Sequence, residues 1–370
     1  MRRPAVPTGR VPLRFALGVC LLAGGAAHAQ SVGDERVDTD GTIRMDGVDV
    51  PLSGLMSDEA RAYMRHVIVD KSFGMAEADI EAERRRQDAI MLRFLEPMRE
   101  RYSVTVAEEV VGGVVVDVVT PSDGIASENA GRVLINVHGG GFVTGARTAS
   151  LVESVPLAAL MKIKVVSVDY RMSPEHQFPA ASEDVESVYR ELLKTYEPER
   201  IGLYGCSAGG LLAAQSVAWF RANGLPMPAA VGVFCASLGG YFGGDATALA
   251  GPLNGMLPAR AVEHEATADS PPPSARGYLD HARREDPLAY PIASRSVLAG
   301  FPPTLLISGM RSFELSMALD SHNKLTQAGA HSRFHAWDGM NHAFFYNSEL
   351  PESREAYAIM VDFFETHLAD

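Results

Sequence analysis

The chain predicts an α/β fold: a mostly parallel central sheet, helices on both faces, and a helical cap. Three observations carry this. From residue 132 onward, short and continuously apolar runs alternate with helical stretches, which is the texture of strands covered on both sides. A Gly-x-Ser-x-Gly pentapeptide, Gly205-Cys206-Ser207-Ala208-Gly209, stands between one such strand and an apolar helix. Upstream, His138-Gly139-Gly140-Gly141 directly follows another strand. The 370 residues, 46% of them hydrophobic, suffice for one large domain with a full core or for two smaller ones.

The elements follow in order. Arg2, Arg3, Arg10 and Arg14 precede an apolar run from Phe15 to Ala27, and Ala27-His28-Ala29 gives a small-x-small pattern. Residues 1–29 therefore read as a secretory signal peptide cleaved before Gln30. The run is too short for a comfortable membrane span. Cys20 follows a bulky valine and has further apolar chain after it, which argues against a lipid anchor. The expected product is exported, periplasmic or secreted, with no stable membrane anchor after cleavage. Removing four arginines and no acid takes the formal charge from −13 to −17, which disfavours nucleic acid and anionic membrane as partners.

Residues 30–101 read as N-terminal cap helices, with amphipathic stretches at Glu59–Val69 and Ala78–Glu100. Residues 102–370 read as the catalytic domain. It opens with β-branched runs at Val104–Val106 and Val114–Val119, joined at Gly112-Gly113 as a hairpin. Strands are then expected at 132–137, 165–168, 201–204, 231–234, 304–308 and 332–337. Helices are expected at 150–161, 182–194, 211–222, 316–328 and 352–367. From Gly239 to about Ala282 the alternation breaks, with Gly243-Gly244 and three consecutive prolines. This stretch, about 239–285, reads as a cap insertion. Of the cysteines left after cleavage, Cys235 follows an apolar strand and reads as a buried thiol. A disulfide to Cys206 is the lesser alternative, since pairing is not written in sequence.

The motifs point to acyl transfer. A serine hydroxyl is a weak nucleophile unless a tight strand-to-helix turn exposes it and a base activates it. Ser207 at the tip of the pentapeptide meets the first need. The glycine run lets backbone N–H groups approach a developing oxyanion; Gly140, Gly141 and the Ala208 N–H just after the serine are the expected donors. The base belongs after the last strands, where His342 follows the turn Asp338–Asn341; His331 and His335 are its competitors.

At this point the chain resembles the hormone-sensitive lipase family of α/β-hydrolases, the bacterial family IV esterases, from about Val104 to the C-terminus. His138–Phe142 matches that family's oxyanion motif. Asp169-Tyr170-Arg171-Met172-Ser173-Pro174-Glu175-His176-Gln177-Phe178-Pro179-Ala180-Ala181 is similar to its Tyr-Arg-Leu-Ala-Pro-Glu-His-x-Phe-Pro-Ala-Ala block, a structural loop, so Glu175 and His176 carry no catalytic role. Asp286–Pro291 is similar to its Asp-Pro-x-x-Ser-Pro block, with Tyr290 in place of the serine. The resemblance implies an α/β-hydrolase fold, carboxylic ester hydrolysis and an N-terminal cap over the site.

Two residues depart from the family pattern. Its elbow commonly carries an acid where Cys206 stands. Its catalytic aspartate normally lies in the turn after strand 304–308, at the position of Ser312. Glu314, two residues further on, is the expected replacement. Asp338 and Asp320 are alternatives, and a helix-terminal placement by the macrodipole is the other reading of Glu314. The expected enzyme is a serine carboxylic ester hydrolase acting on small to medium acyl esters, with catalytic Ser207, His342 and Glu314. No cofactor or metal is expected, since no cluster has ligand spacing. The partners are a small-molecule ester and, at most, a second copy in a homodimer. An impaired, ligand-binding sensor on the same scaffold is the alternative, as is an amidase or lactonase.

Overall fold

The computed structural model describes residues 39, 43–45, 48–69, 79–255 and 277–369. The signal-peptide reading and residues 256–276 of the expected cap insertion lie outside them. Two short strands, β1 (Ile43–Met45) and β2 (Val48–Val50), pair antiparallel and precede helices α1 (Asp58–Val69) and α2 (Ile80–Arg101). The strand pair was not expected from sequence. α2 starts where the Asp79 carboxylate accepts the Ala82 N–H at 2.8 Å, an N-cap that satisfies one free donor of the first turn.

The main sheet has eight strands: β3 (Val104–Val111), β4 (Val114–Pro121), β5 (Val133–Val137), β6 (Lys164–Val168), β7 (Ile201–Cys206), β8 (Ala230–Phe234), β9 (Thr304–Gly309) and β10 (Ser332–Trp337). Their spatial order is β10-β9-β8-β7-β5-β6-β4-β3. Pairing is antiparallel only where β4 meets β3 and β6. Every other pair is parallel. The β3–β4 hairpin turns at Gly112 and Gly113, both at positive φ (60° and 84°), as a two-residue hairpin turn requires.

The connecting helices are α3 (Ala149–Met161), α4 (Ala180–Leu192), α5 (Ala208–Ala222), α6 (Gly244–Leu253), α7 (Arg295–Leu298), α8 (Leu315–Ala328) and α9 (Pro351–His367). Alternate side chains of one strand feed two cores. On β5, Val133, Ile135 and Val137 pack with Val185 of α4 and Leu211 of α5, whereas Leu134 packs with Val152 of α3 and Phe364 of α9. α6 lies in the stretch expected as a cap insertion. It packs against α8, with the Ser316 hydroxyl accepting the Ala246 N–H at 3.0 Å.

The chain winds from β5 to β6 in one direction and from β7 through β10 in the other. The reversal falls between β5 and β7, the place where open α/β sheets bind ligands beyond the carboxyl ends of their strands. His138–Gly141 leaves β5 at this crevice, and Ser207 leaves β7.

Candidate active site

Ser207 sits between the last residue of β7 and the first of α5, at φ 56° and ψ −124°. A non-glycine residue in that region costs on the order of 1–3 kcal/mol and persists only where its surroundings fix it. Here the Ser207 N–H donates to the Phe234 carbonyl at 2.8 Å, and the Leu211 N–H to the Ser207 carbonyl at 3.1 Å. The turn also presses against the end of β5: a Cβ on Gly209 would lie 1.8 Å from the Val137 carbonyl oxygen. The small residues around the serine are therefore a steric requirement of this packing.

Behind the serine, Cys206 is joined to Cys235 by a disulfide, with 5.3 Å between their Cα atoms. This corrects the reading of Cys235 as a free buried thiol. β7 and β8 are neighbours, so their carboxyl ends bring the two cysteines together, a proximity that spacing does not encode. Both residues are 1% exposed, and Cys206 faces the core while the serine faces the cavity.

The glycine turn stands opposite. Gly140 has φ +117°, and a Cβ there would lie 2.1 Å from the Thr144 carbonyl oxygen, so no other residue fits. Its own carbonyl accepts the Thr144 N–H at 3.0 Å, which curls the turn back on itself. Gly141 continues the turn at φ 65°. Ala208 is the first residue of α5, where a backbone N–H has no partner inside its helix and the dipole favours negative charge. Under the turn, the buried His138 ring stacks on Tyr170 at 4.3 Å, and burial pulls its pKa from 6.5 to about 4. It is a neutral structural ring at neutral pH.

Glu314 and His342 meet beyond the ends of β9 and β10. His342 Nδ1 lies 2.9 Å from Glu314 Oε2. An ionised carboxylate only accepts, so Nδ1 carries the proton and Nε2 keeps its lone pair. The Glu314 side chain is fully buried. Burial pushes its pKa up, but the nearby His342 ring and hydrogen bonds from His342 and Ser312 outweigh this and leave it lowered. Ser312 donates to Oε2, Ser308 donates to Oε1 at 3.0 Å, and Ser312 Oγ lies 3.3 Å from His342 Nδ1. Glu314 holds the N-cap position of α8 yet makes no capping bond, so its carboxylate is spent on the histidine rather than on the helix. Phe313 stacks on the His342 ring at 4.5 Å. The loop is anchored by Arg311, which donates to the Leu253 and Pro51 carbonyls at 2.7 and 2.8 Å.

The other carboxylates and histidines lie elsewhere. Asp338 accepts from Ser53, and Asp320 pairs with Lys324 at 2.8 Å on α8. The His331 ring contacts His367, and His335 contacts Trp337. Glu175 binds Arg84 through two hydrogen bonds, a structural role. Among the described residues, no group of three or more His, Cys, Asp and Glu side chains is arranged to hold a metal ion, and no helix is long and apolar enough to cross a membrane.

Ser207, His342 and Gly140 line one cavity of about 210 Å³. Its far wall comes from Tyr63 of α1 and from Gln87, Met91 and Phe94 of α2; Ala149 and Tyr346 close its sides. Sequence reading missed these wall residues, because a helical period says which face is apolar but not what it faces. It also missed Ser312 as a partner of the acid. A signal for Glu153 was present: it is the one charged residue in the apolar run of α3.

The pattern of a family described as "alpha/beta hydrolase fold" matches residues 134–346, more than half of the chain. An acetyl-hydrolase of Streptomyces hygroscopicus is 32% identical over 238 residues, 64% of this chain and 76% of the relative. Among solved structures, esterase E25 superposes with a TM-score of 0.73 at 26% identity, covering 88% of this chain and 99% of the other. An esterase of the bacterial hormone-sensitive lipase family superposes with a TM-score of 0.67 at 25% identity, covering 85% and 99%. The sheet order, the elbow at the reversal point and these matches agree: the chain belongs to the α/β-hydrolase family, as a member of its hormone-sensitive-lipase type.

Proposed function

We propose that Ser207, His342 and Glu314 carry a two-step acyl transfer in this serine ester hydrolase. The observation that supports this most is the 2.9 Å contact between Glu314 and His342 Nδ1, on a histidine that shares a cavity with Ser207. In the first step, Ser207 Oγ attacks the ester carbonyl and passes its proton to His342 Nε2. Glu314 holds the ring's tautomer and offsets the charge of the imidazolium. The carbonyl oxygen, now an anion, is stabilised by the N–H groups of Gly140, Gly141 and Ala208. His342 returns the proton to the departing alkoxide, and an acyl-serine remains. Water then repeats the sequence: His342 takes its proton, the carboxylic acid leaves, and Ser207 is restored.

A cavity of about 210 Å³ is below the roughly 300–1,000 Å³ of sites for drug-sized ligands, which favours small acyl groups over long lipid chains. The acetyl-hydrolase relative fits that preference. α1 and α2, which supply the far wall, act as the cap. Export through residues 1–29 is part of the same reading, and a buried disulfide suits an oxidising compartment.

The test is a fluorophosphonate probe together with a p-nitrophenyl ester series. Stoichiometric labelling that Ser207→Ala abolishes, and turnover that falls from acetate and butyrate toward decanoate, are expected. A folded protein that does not label would overturn the assignment of Ser207.

A further inference from the structure

The buried carboxylate of Glu153 takes no part in the scheme above, yet it touches the glycine turn, the residue before Ser207 and the segment after His342. The residue is 4% exposed, on the inner face of α3. Its Oε1 accepts the Gly139 N–H at 2.8 Å and the Tyr346 O–H. Its Oε2 accepts the Asn136 amide N–H at 2.9 Å and the Cys206 N–H at 3.2 Å. Gly139 begins the oxyanion turn, Cys206 immediately precedes the nucleophile, and Tyr346 lies four residues after His342 and lines the same cavity. Asn136 is in β5, three residues before Gly139.

We propose that Glu153 is a positioning residue, a single buried carboxylate that holds the oxyanion turn, the nucleophile elbow and the segment after His342 in one register. The inference rests on the reading of Ser207 and His342 given above. Its logic is one of hydrogen-bond capacity. An ionised carboxylate offers about four acceptor sites and no donor, which matches four convergent donors. A carboxamide in the same space turns an NH2 toward two of those donors and leaves buried groups unpaired. In this chain α3 supplies a carboxylate to the backbone N–H of Cys206, the residue before Ser207.

The same geometry makes the clamp sensitive to pH. Burial raises the Glu153 carboxyl to about 7, against the pull of its four hydrogen bonds. The titratable groups that face it are the phenols Tyr346, Tyr204, Tyr170 and Tyr357, all pushed well above their ordinary value and so neutral. No cation is among them. Protonation of Glu153 removes an acceptor site and lets the clamp slacken, so lowering the pH through this value reduces turnover.

The experiment compares Glu153→Gln and Glu153→Asp with the parent protein on p-nitrophenyl butyrate from pH 5.5 to 9, with thermal unfolding as the check on folding. In Glu153→Gln, kcat is expected to fall about 10–100-fold with KM changed less than about threefold, because placement of the reacting groups is lost rather than substrate affinity. The acid limb of its pH profile should lose the Glu153 inflection, and Glu153→Asp should keep that inflection at a shifted pH. Parent-like kcat and pH profile in a folded Glu153→Gln would overturn the clamp. If Glu153→Gln does not fold, an unmoved acid limb in Glu153→Asp would do so instead. Ser207→Ala, run in parallel, separates the two ideas: activity retained there sinks the reading of the site, whereas its loss beside an unaffected Glu153→Gln sinks only the clamp.

Discussion

At the scale of single residues, Glu314, the proposed acid, is the feature with the most direct consequences. Glu314 reaches His342 from a position two residues beyond Ser312, and Ser312 donates to the carboxylate rather than standing idle. Glu314→Gln keeps the volume and removes the charge, so kcat on p-nitrophenyl butyrate should fall by about 10⁴, the loss seen when the acid of such a triad is neutralised. Ser312→Asp alone sets a second carboxylate against Glu314 and should lower activity. Combined with Glu314→Gln, it should restore at least about tenfold, since the charge then returns from the neighbouring position. A double variant no better than Glu314→Gln would show that the loop admits only one placement. The carboxyl is held below its ordinary 4.5, so loss of activity between pH 8 and 5 does not come from its protonation. Ser207, His342 and the glycine turn were legible because each is a local pattern with one structural use. Glu314 was legible only through the family resemblance, which puts the acid in the turn after β9. The hydroxyls of Ser308 and Ser312 were not, because serine serves equally well in any turn.

At the scale of elements, the strand-to-helix alternation was readable from Val133 to His367, since buried parallel strands leave continuous apolar runs. What could not be read was adjacency across strands. β7 and β8 bring Cys206 and Cys235 together, and four donors from separate segments converge on Glu153; neither leaves a sequence period. α6 was hidden for another reason: it is short, follows two glycines and carries Pro252 in its last turn. The disulfide closes a loop spanning a separation of 29 residues, from the end of β7 through α5 and β8. In the chain-entropy account a loop of that size is worth about 3.6 kcal/mol. Cys206→Ala with Cys235→Ala should lower the denaturant midpoint accordingly while retaining measurable esterase activity, because the cysteine side chains face the core. An unchanged midpoint would show that the pairing contributes nothing in solution.

At the scale of the whole molecule, two buried titratable groups under the oxyanion turn pull stability in opposite directions. His138 is lowered to about 4 from 6.5. Above 6.5 it is neutral whether the chain is folded or not. Between 6.5 and 4 the unfolded chain takes a proton that the folded one refuses, so stability falls with pH, by up to about 3 kcal/mol for a shift of that size. Glu153, raised from 4.5 to about 7, keeps a proton in the fold that the unfolded chain releases, and its gain as pH falls from 7 to 4.5 is of the same size and offsets the loss. Denaturation at pH 7.5 and 4.5 should therefore show a smaller decline in His138→Asn than in the parent; equal declines would exclude His138 as a source. The disulfide has a further use at this scale, as a record of the chain's history. The sequence contains three cysteines, and two are consumed by the pairing. The third, Cys20, lies in the segment read as a leader. A thiol titration in denaturant without reductant should therefore return one equivalent from the full-length chain and none from a chain that begins at Gln30. A chain beginning at Gln30 would then carry no free thiol, so it would be indifferent to mercurial reagents and unable to form mixed disulfides with its neighbours.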